Sequence, residues 1–320
     1  MNSSISSSRR AIALFLVAAV ATLLLVATAS ELLLRHAVLP RDSFAAHAAL
    51  FRSARASDAA FGDSHMARDF SPPAPHFNLA YPSETVRDMD WKARDFFARN
   101  PARRVVLQAD PHLFAPYRLG AQTDPARRYA PDGAPAIHLF DGRLRPQLIA
   151  YWRSFLWSGF TLRSRETLTA QGALMSPGDL AARSSRRLLY EARARMREHR
   201  PVSDPAATQD GMVYSALVRF LVEAGATVCL VTMPLSPAYL QAMEQRPDQD
   251  ALQAWRANIA WFESVAAATG GRYVDHRAAV MDLTLFRDVD HLNAAGALAY
   301  TPLLLRDCFG ADVEAARPHR

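Results

Sequence analysis

The chain predicts a doubly wound α/β domain behind a membrane-inserted N-terminus, and three observations carry that expectation. Short apolar, β-branched runs alternate with helix-length segments, the pattern of a parallel sheet covered by helices. Residues 11–29, AIALFLVAAVATLLLVATA, carry no charge. A Gly62-Asp63-Ser64 turn directly follows the first apolar run of the main domain.

Taken in order, residues 1–10 form a short n-region ending in Arg9 and Arg10. As a helix, residues 11–29 rise about 28 Å, close to the thickness of a bilayer's hydrocarbon core. The apolar character continues through Leu32-Leu33-Leu34, so the expected anchor spans 11–34. Positive charge before it keeps that end cytoplasmic and places the rest of the chain across the membrane. A cleavable signal peptide is the rival, because Ala27-Thr28-Ala29 fits a small-x-small cleavage site. Both readings export the domain. Residues 35–57 read as a helical stalk.

Strands are expected at 58–62, 76–81, 104–109, 227–234 and 272–275, with helices at 85–100, 212–224, 249–269 and 293–305. Between about 119 and 205 the alternation breaks into Pro/Gly-punctuated, aromatic and arginine-rich sequence, read as a helical insertion. Residues 311–320 form a tail. Trp152, Phe155, Trp157 and Phe160 in the insertion read as the packed core of a lid, with sugar stacking or a membrane-facing patch as the other reading. The arginines from 183 to 200 read as a solvated helix face.

The net charge of +6 comes from arginine, Lys92 being the only lysine. With no zinc-ligand spacing, RNA-binding signature or P-loop, nucleic acid is not an expected partner, and no metal or cofactor is expected. Cys229 and Cys308 are the only cysteines. An exported chain could oxidise them, but Cys229 lies inside a predicted strand, so a buried free thiol is expected.

The chemistry concentrates at two places. Ser64 on a sharp turn after a strand is a candidate nucleophile. Asp288-Val289-Asp290-His291-Leu292-Asn293 supplies a candidate base, His291, with Asp288 as the group that fixes its tautomer. Asp290 is the alternative orienter, at a less favourable spacing. Asp275-His276 also pairs an acid with an imidazole, and reads as structural.

Gly62-Asp63-Ser64-His65 together with Phe286-x-Asp288-x-x-His291-Leu292-Asn293-x-x-Gly296 resembles the SGNH or GDSL family of esterases and acyltransferases. The resemblance covers about 58–112 and 212–307. It implies a three-layer, flavodoxin-like doubly wound sheet and an acyl-serine mechanism at Ser64, Asp288 and His291. Asn78-Leu79-Ala80 is similar to the family's second block, with the Ala80 N–H where the family places an oxyanion donor. The third block departs from the family pattern. Gln108-Ala109-Asp110-Pro111-His112 carries no asparagine, leaving Gln108 or His112 as substitute donors. Asp63, Asn78, Gln108 and Asp110 complete the candidate substrate and oxyanion set.

The N-terminal anchor beside these blocks resembles the branch that works with membrane-bound O-acyltransferases on exopolysaccharides or teichoic acids. That branch implies a bacterial inner-membrane, single-pass protein with a periplasmic domain. Its expected partners are a cell-envelope glycan or acylated polymer and a membrane-bound O-acyltransferase. The alternative is a non-catalytic module of the same fold, docked to an acyltransferase or export complex.

Overall fold

A computed structural model describes residues 3–39, 42–119, 121, 123–129, 137–140, 148–149, 152–153, 166–245 and 249–310. Phe155, Trp157 and Phe160 lie outside these residues, as does the tail from 311. The chain divides into two compact units, Met1–Ala46 with Pro131–Ser164, and His47–Ala130 with Arg165–Arg320.

The first unit is built on helix α1, Ser3–Leu33, which runs on into a π-helical turn over Leu34–Val38. Its segment Ala11–Val38 has a mean hydropathy of 2.7, long and apolar enough to cross a membrane. Leu14, Phe15, Leu23 and Leu25 stand exposed along it, side chains that hydrocarbon would solvate and water would not. Glu31 receives the Arg35 guanidinium at 2.7 Å and the His138 and Leu139 backbone N–H groups at 3.1 and 2.9 Å.

Helix α2, Ser43–Ser53, lies in the middle of the expected stalk. Its His47 and Phe51 are buried in the second unit, Phe51 lying 6.4 Å from the Phe96 ring and 5.4 Å from that of Tyr129. The same pocket buries Lys92 completely. Its ammonium donates to Glu84 at 2.7 Å and to the Leu79 carbonyl, and lies 3.1 Å from His47 Nε2.

Strand β1 (Asp58–Phe61) leads into helix α3 (Ser64–Asp69), then β2 (Phe77–Asn78), α4 (Val86–Phe97) and β3 (Arg104–Gln108). α4 opens on a capping box between Thr85 and Asp88, which satisfies two otherwise orphaned N–H groups. In the insertion, β4 (Thr167–Leu168) and β5 (Leu174–Met175) form an antiparallel hairpin before α5 (Ser185–Glu198). The alternation resumes with α6 (Gln209–Glu223), β6 (Thr227–Thr232), α7 (Pro237–Gln245), α8 (Gln249–Thr269), β7 (Arg272–Asp275) and α9 (Ala294–Phe309).

The main sheet is parallel throughout, in the order β2-β1-β3-β6-β7. This is the 2-1-3-4-5 order of a doubly wound sheet, whose crevice opens where the winding reverses, between β1 and β3. All five expected strands are present, four of them trimmed by one to four residues and the fifth, 272–275, with its expected bounds. Side chains alternate between faces. Ala60, Val106, Cys229 and Val231 join Tyr300 and Leu304 of α9 in one core cluster. Phe61 points the other way, against Phe96 and Phe97 of α4.

Cys229 and Cys308 form a disulfide, correcting the expected free thiol. The strand residue faces the layer that α9 covers, and its Cα lies 5.5 Å from that of Cys308, a distance a disulfide spans. Linear order cannot reveal that proximity across 79 residues. Cross-linking so long a loop constrains the unfolded chain by about 4 kcal/mol. We expect Cys229→Ser/Cys308→Ser to lower the urea unfolding free energy by roughly that amount, with an m-value that rises as the unfolded chain, no longer cross-linked, exposes more surface.

Candidate active site

Ser64 stands at the first turn of α3, immediately beyond the carboxyl end of β1. Asp63 caps that helix, its carboxylate accepting the His65 N–H at 3.0 Å. Gly62 is required by the close approach of β3, since a Cβ there would run into the Gln108 side chain. The strand end thus delivers Ser64 to the reversal point of the sheet.

His291 comes from the loop before α9. That loop is closed by an Arg287 N–H to His291 carbonyl bond of 3.0 Å and a bridge between Phe286 and Leu292. Asn293 caps α9 through the Gly296 N–H at 2.9 Å and ties the loop down by donating to the Thr284 and Gly178 carbonyls. Asp69 on α3 accepts the Leu292 N–H at 2.8 Å, fixing this loop to the helix that carries Ser64.

The result is a continuous hydrogen-bonded chain. His291 Nε2 lies 3.0 Å from Ser64 Oγ, and His291 Nδ1 lies 2.8 Å from Asp288 Oδ1. Asp290 Oδ1 is 3.5 Å from the same Nδ1, so Asp288 makes the shorter contact. An imidazole in this position can take the serine proton, with the carboxylate holding its tautomer. Ser64, Asp288 and His291 line a cleft of about 450 Å³. Arg68, Arg118, Arg195, Arg287 and Tyr117 also line it, and Pro82 and Ala121 are its only aliphatic contributions among the described residues.

The other expected site residues sit behind the cleft, not in its wall. The Asn78 side chain donates to the Met66 and Phe70 carbonyls and accepts the Ala80 N–H at 3.1 Å. The expected oxyanion donor at Ala80 is therefore already engaged, and Ala80 is fully buried. Gln108 accepts the Asp63 N–H at 2.7 Å and donates to Asp63 and Asp110 at 2.9 and 2.7 Å, leaving no amide hydrogen directed at the cleft. Asp110 also accepts the Met233 N–H at 2.8 Å. His112 is held by Asp63 at 2.8 Å, and Arg118 reaches the same carboxylate at 2.6 Å. These corrections share one cause. The polar groups at the ends of β1 and β3 satisfy one another, as buried polar groups must.

Beneath His291 lies a buried histidine and aspartate network that motif reading did not assemble. His65 Nδ1 is 3.3 Å from Asp110, and its Nε2 is 3.4 Å from Asp290. Arg195 Nε reaches Asp290 at 3.0 Å, so one arginine of the expected solvated face turns inward. The His112 and His199 ring centroids are 4.5 Å apart, and the His65 and His112 centroids 4.4 Å. Burial raises the Asp290 carboxyl, but the surrounding His291, His65 and His199 hold it well below the ordinary carboxylate range. Burial lowers the His112 and His199 imidazoles below their ordinary value. For His65 burial acts the same way, but Asp110 and Asp290 overcome it and raise the group well above its ordinary value. Only the strand-end position of His65 and His112 hinted at this network. His199 and Arg195 arrive from the insertion, where nothing in the sequence marked them. Asp275-His276 lies apart, His276 bonding Tyr300 and Asp307.

No family model matches the chain, and no curated protein matches it.

Proposed function

We propose that the protein is a membrane-anchored, extracytoplasmic serine acyl esterase or O-acyltransferase acting on cell-envelope glycan esters. The observation that carries this reading is the Ser64–His291–Asp288 chain at the wall of an open cleft. In it, His291 removes the Ser64 proton as Oγ attacks the ester carbonyl, then returns it to the departing alkoxide. Water or a sugar hydroxyl next attacks the acyl-serine, with His291 again as base. The Ser64 N–H is the oxyanion donor assigned here, with the cleft guanidiniums adding positive charge. A charged, aliphatic-poor cleft favours a polar ester over a lipid. The apolar helix Ala11–Val38 supports a single-pass membrane anchor; the bacterial inner membrane, the periplasmic domain and the partners, an acylated polymer and a membrane-bound O-acyltransferase, are what the resemblance of the sequence blocks implies.

The engaged Ala80 N–H favours a second reading, a non-catalytic module of the same architecture docked to such an acyltransferase. Treating the full-length protein in detergent with a fluorophosphonate and weighing it intact separates the two. The enzyme reading expects one adduct on the wild type and none on Ser64→Ala. A folded wild type that takes no adduct overturns it in favour of the docked module.

A further inference from the structure

We propose that the three imidazoles of His65, His112 and His199 form a binding site for one divalent transition-metal ion of the zinc class, directly behind the serine site. One ring nitrogen of each lies within 4.8 Å of the others, and all three residues are buried. Ligand atoms of a tetrahedral zinc site stand about 3.3 Å apart, so the set closes with side-chain shifts of no more than about 1.5 Å. The rings are buried together from three separate parts of the chain: α3, the segment after β3, and the end of α5.

The carboxylates behind the rings are arranged as a metal's outer shell. His112 Nε2 faces Asp63 at 2.8 Å, which leaves its Nδ1 lone pair for an ion. His65 Nδ1 faces Asp110 at 3.3 Å, which leaves Nε2. Imidazoles backed by carboxylates in this way are oriented and made more basic toward a metal. His65 meets Asp110 and Asp290 at 3.3 and 3.4 Å, and Asp290 meets Arg195 at 3.0 Å, ion-pair contacts in which neither the His65 nitrogens nor the Asp290 oxygens complete a well-aligned hydrogen bond, so these buried atoms retain the capacity for a tighter partner.

The carboxylates of Asp63, Asp110 and Asp290 face the rings, and the guanidiniums of Arg118 and Arg195 pair with the first and the last of them. Asp290 lies 3.4 Å from His65 Nε2 and 3.8 Å from His199 Nδ1, placed to neutralise the proposed ion. His199 also lines the cleft, giving the ion a route in from solvent. Nitrogen-rich coordination suits zinc, cobalt or copper over magnesium or calcium. A protonated His65 between Asp110 and Asp290 is the alternative partner for these carboxylates, and the experiment distinguishes the two cases.

Full-length protein in detergent is incubated with zinc sulfate, passed through chelating resin, and read by inductively coupled plasma mass spectrometry beside His199→Ala. The His199 side chain makes no hydrogen bond among the described residues, which makes this the mildest removal of a ligand. The site expects about one zinc per chain in the wild type and at least a tenfold lower occupancy in His199→Ala. It also expects intense visible bands on cobalt(II) substitution, the signature of a tetrahedral centre. A wild type that retains no zinc overturns the proposal and leaves a protonated His65 as the partner of Asp110 and Asp290. Equal occupancy in the two proteins overturns it as well, since the ion then sits elsewhere. If His199→Ala does not fold, the wild-type cobalt spectrum decides alone. Fluorophosphonate labelling of Ser64 is read separately, so failure of the metal site and failure of the esterase reading are distinguishable.

Discussion

His291→Ala slows turnover of an activated acyl ester by on the order of 10⁶-fold, a loss comparable to removing Ser64, because the two act as one unit. The expectation follows from the 3.0 Å contact between His291 Nε2 and Ser64 Oγ, which puts a base directly on the nucleophile. Asp288→Asn should cost less, about 10⁴-fold, since it leaves the imidazole in place but disturbs its tautomer. Asp290 sits only 3.5 Å from the same Nδ1 and can partly replace Asp288, so the double variant should fall below either single one. Steady-state kcat on a chromogenic acetyl ester checks the series. If His291→Ala matches wild type in kcat and in fluorophosphonate labelling, the imidazole is not the base and the esterase reading fails.

Asp63→Ala is the second large effect, and it acts first on stability. This carboxylate is fully buried and receives Gln108, His112, Arg118 and the His65 N–H. Removing it strands a guanidinium and two further donors and uncaps α3. Breaking one side of a buried ion pair costs about 3–5 kcal/mol. We expect Asp63→Ala to lose that much in chemical denaturation and to label poorly at Ser64 even where it remains folded. Asp63→Asn keeps an oxygen for the helix cap but loses the charge opposite Arg118, and should fall between the two. A wild-type denaturation midpoint for Asp63→Ala would show that Asp63 is not the keystone of this end of the sheet.

How much of this was legible beforehand depends on the range over which each feature is determined. The alternation of strands and helices is local, and so were β1, β3, β6 and β7 and the helices α4, α6, α8 and α9, whereas the short α3 and α7 carried no signal of their own. The relation of Ser64 to His291 was legible because both follow from short motifs at known points of a wound sheet. The oxyanion donors were not, because whether the Ala80 N–H is engaged depends on where the Asn78 side chain turns. The disulfide was missed for a similar reason, since a strand thiol gives no sign of which helix covers it. Arg195 was hidden by its neighbours, an inward arginine among outward ones. His199 gave no motif at all, and only the fold brings it to His65 and His112.

The burial of Lys92 has a consequence for handling the protein. It is the sole lysine, and its ammonium is sealed among Glu84, His47 and the Leu79 carbonyl. The folded protein therefore offers amine-directed crosslinkers, fixatives and succinimidyl dyes no side-chain target. Stray acylation by activated esters finds none either, which suits a protein read here as handling acyl groups. Any label that does appear on Lys92 reports that the domain has opened.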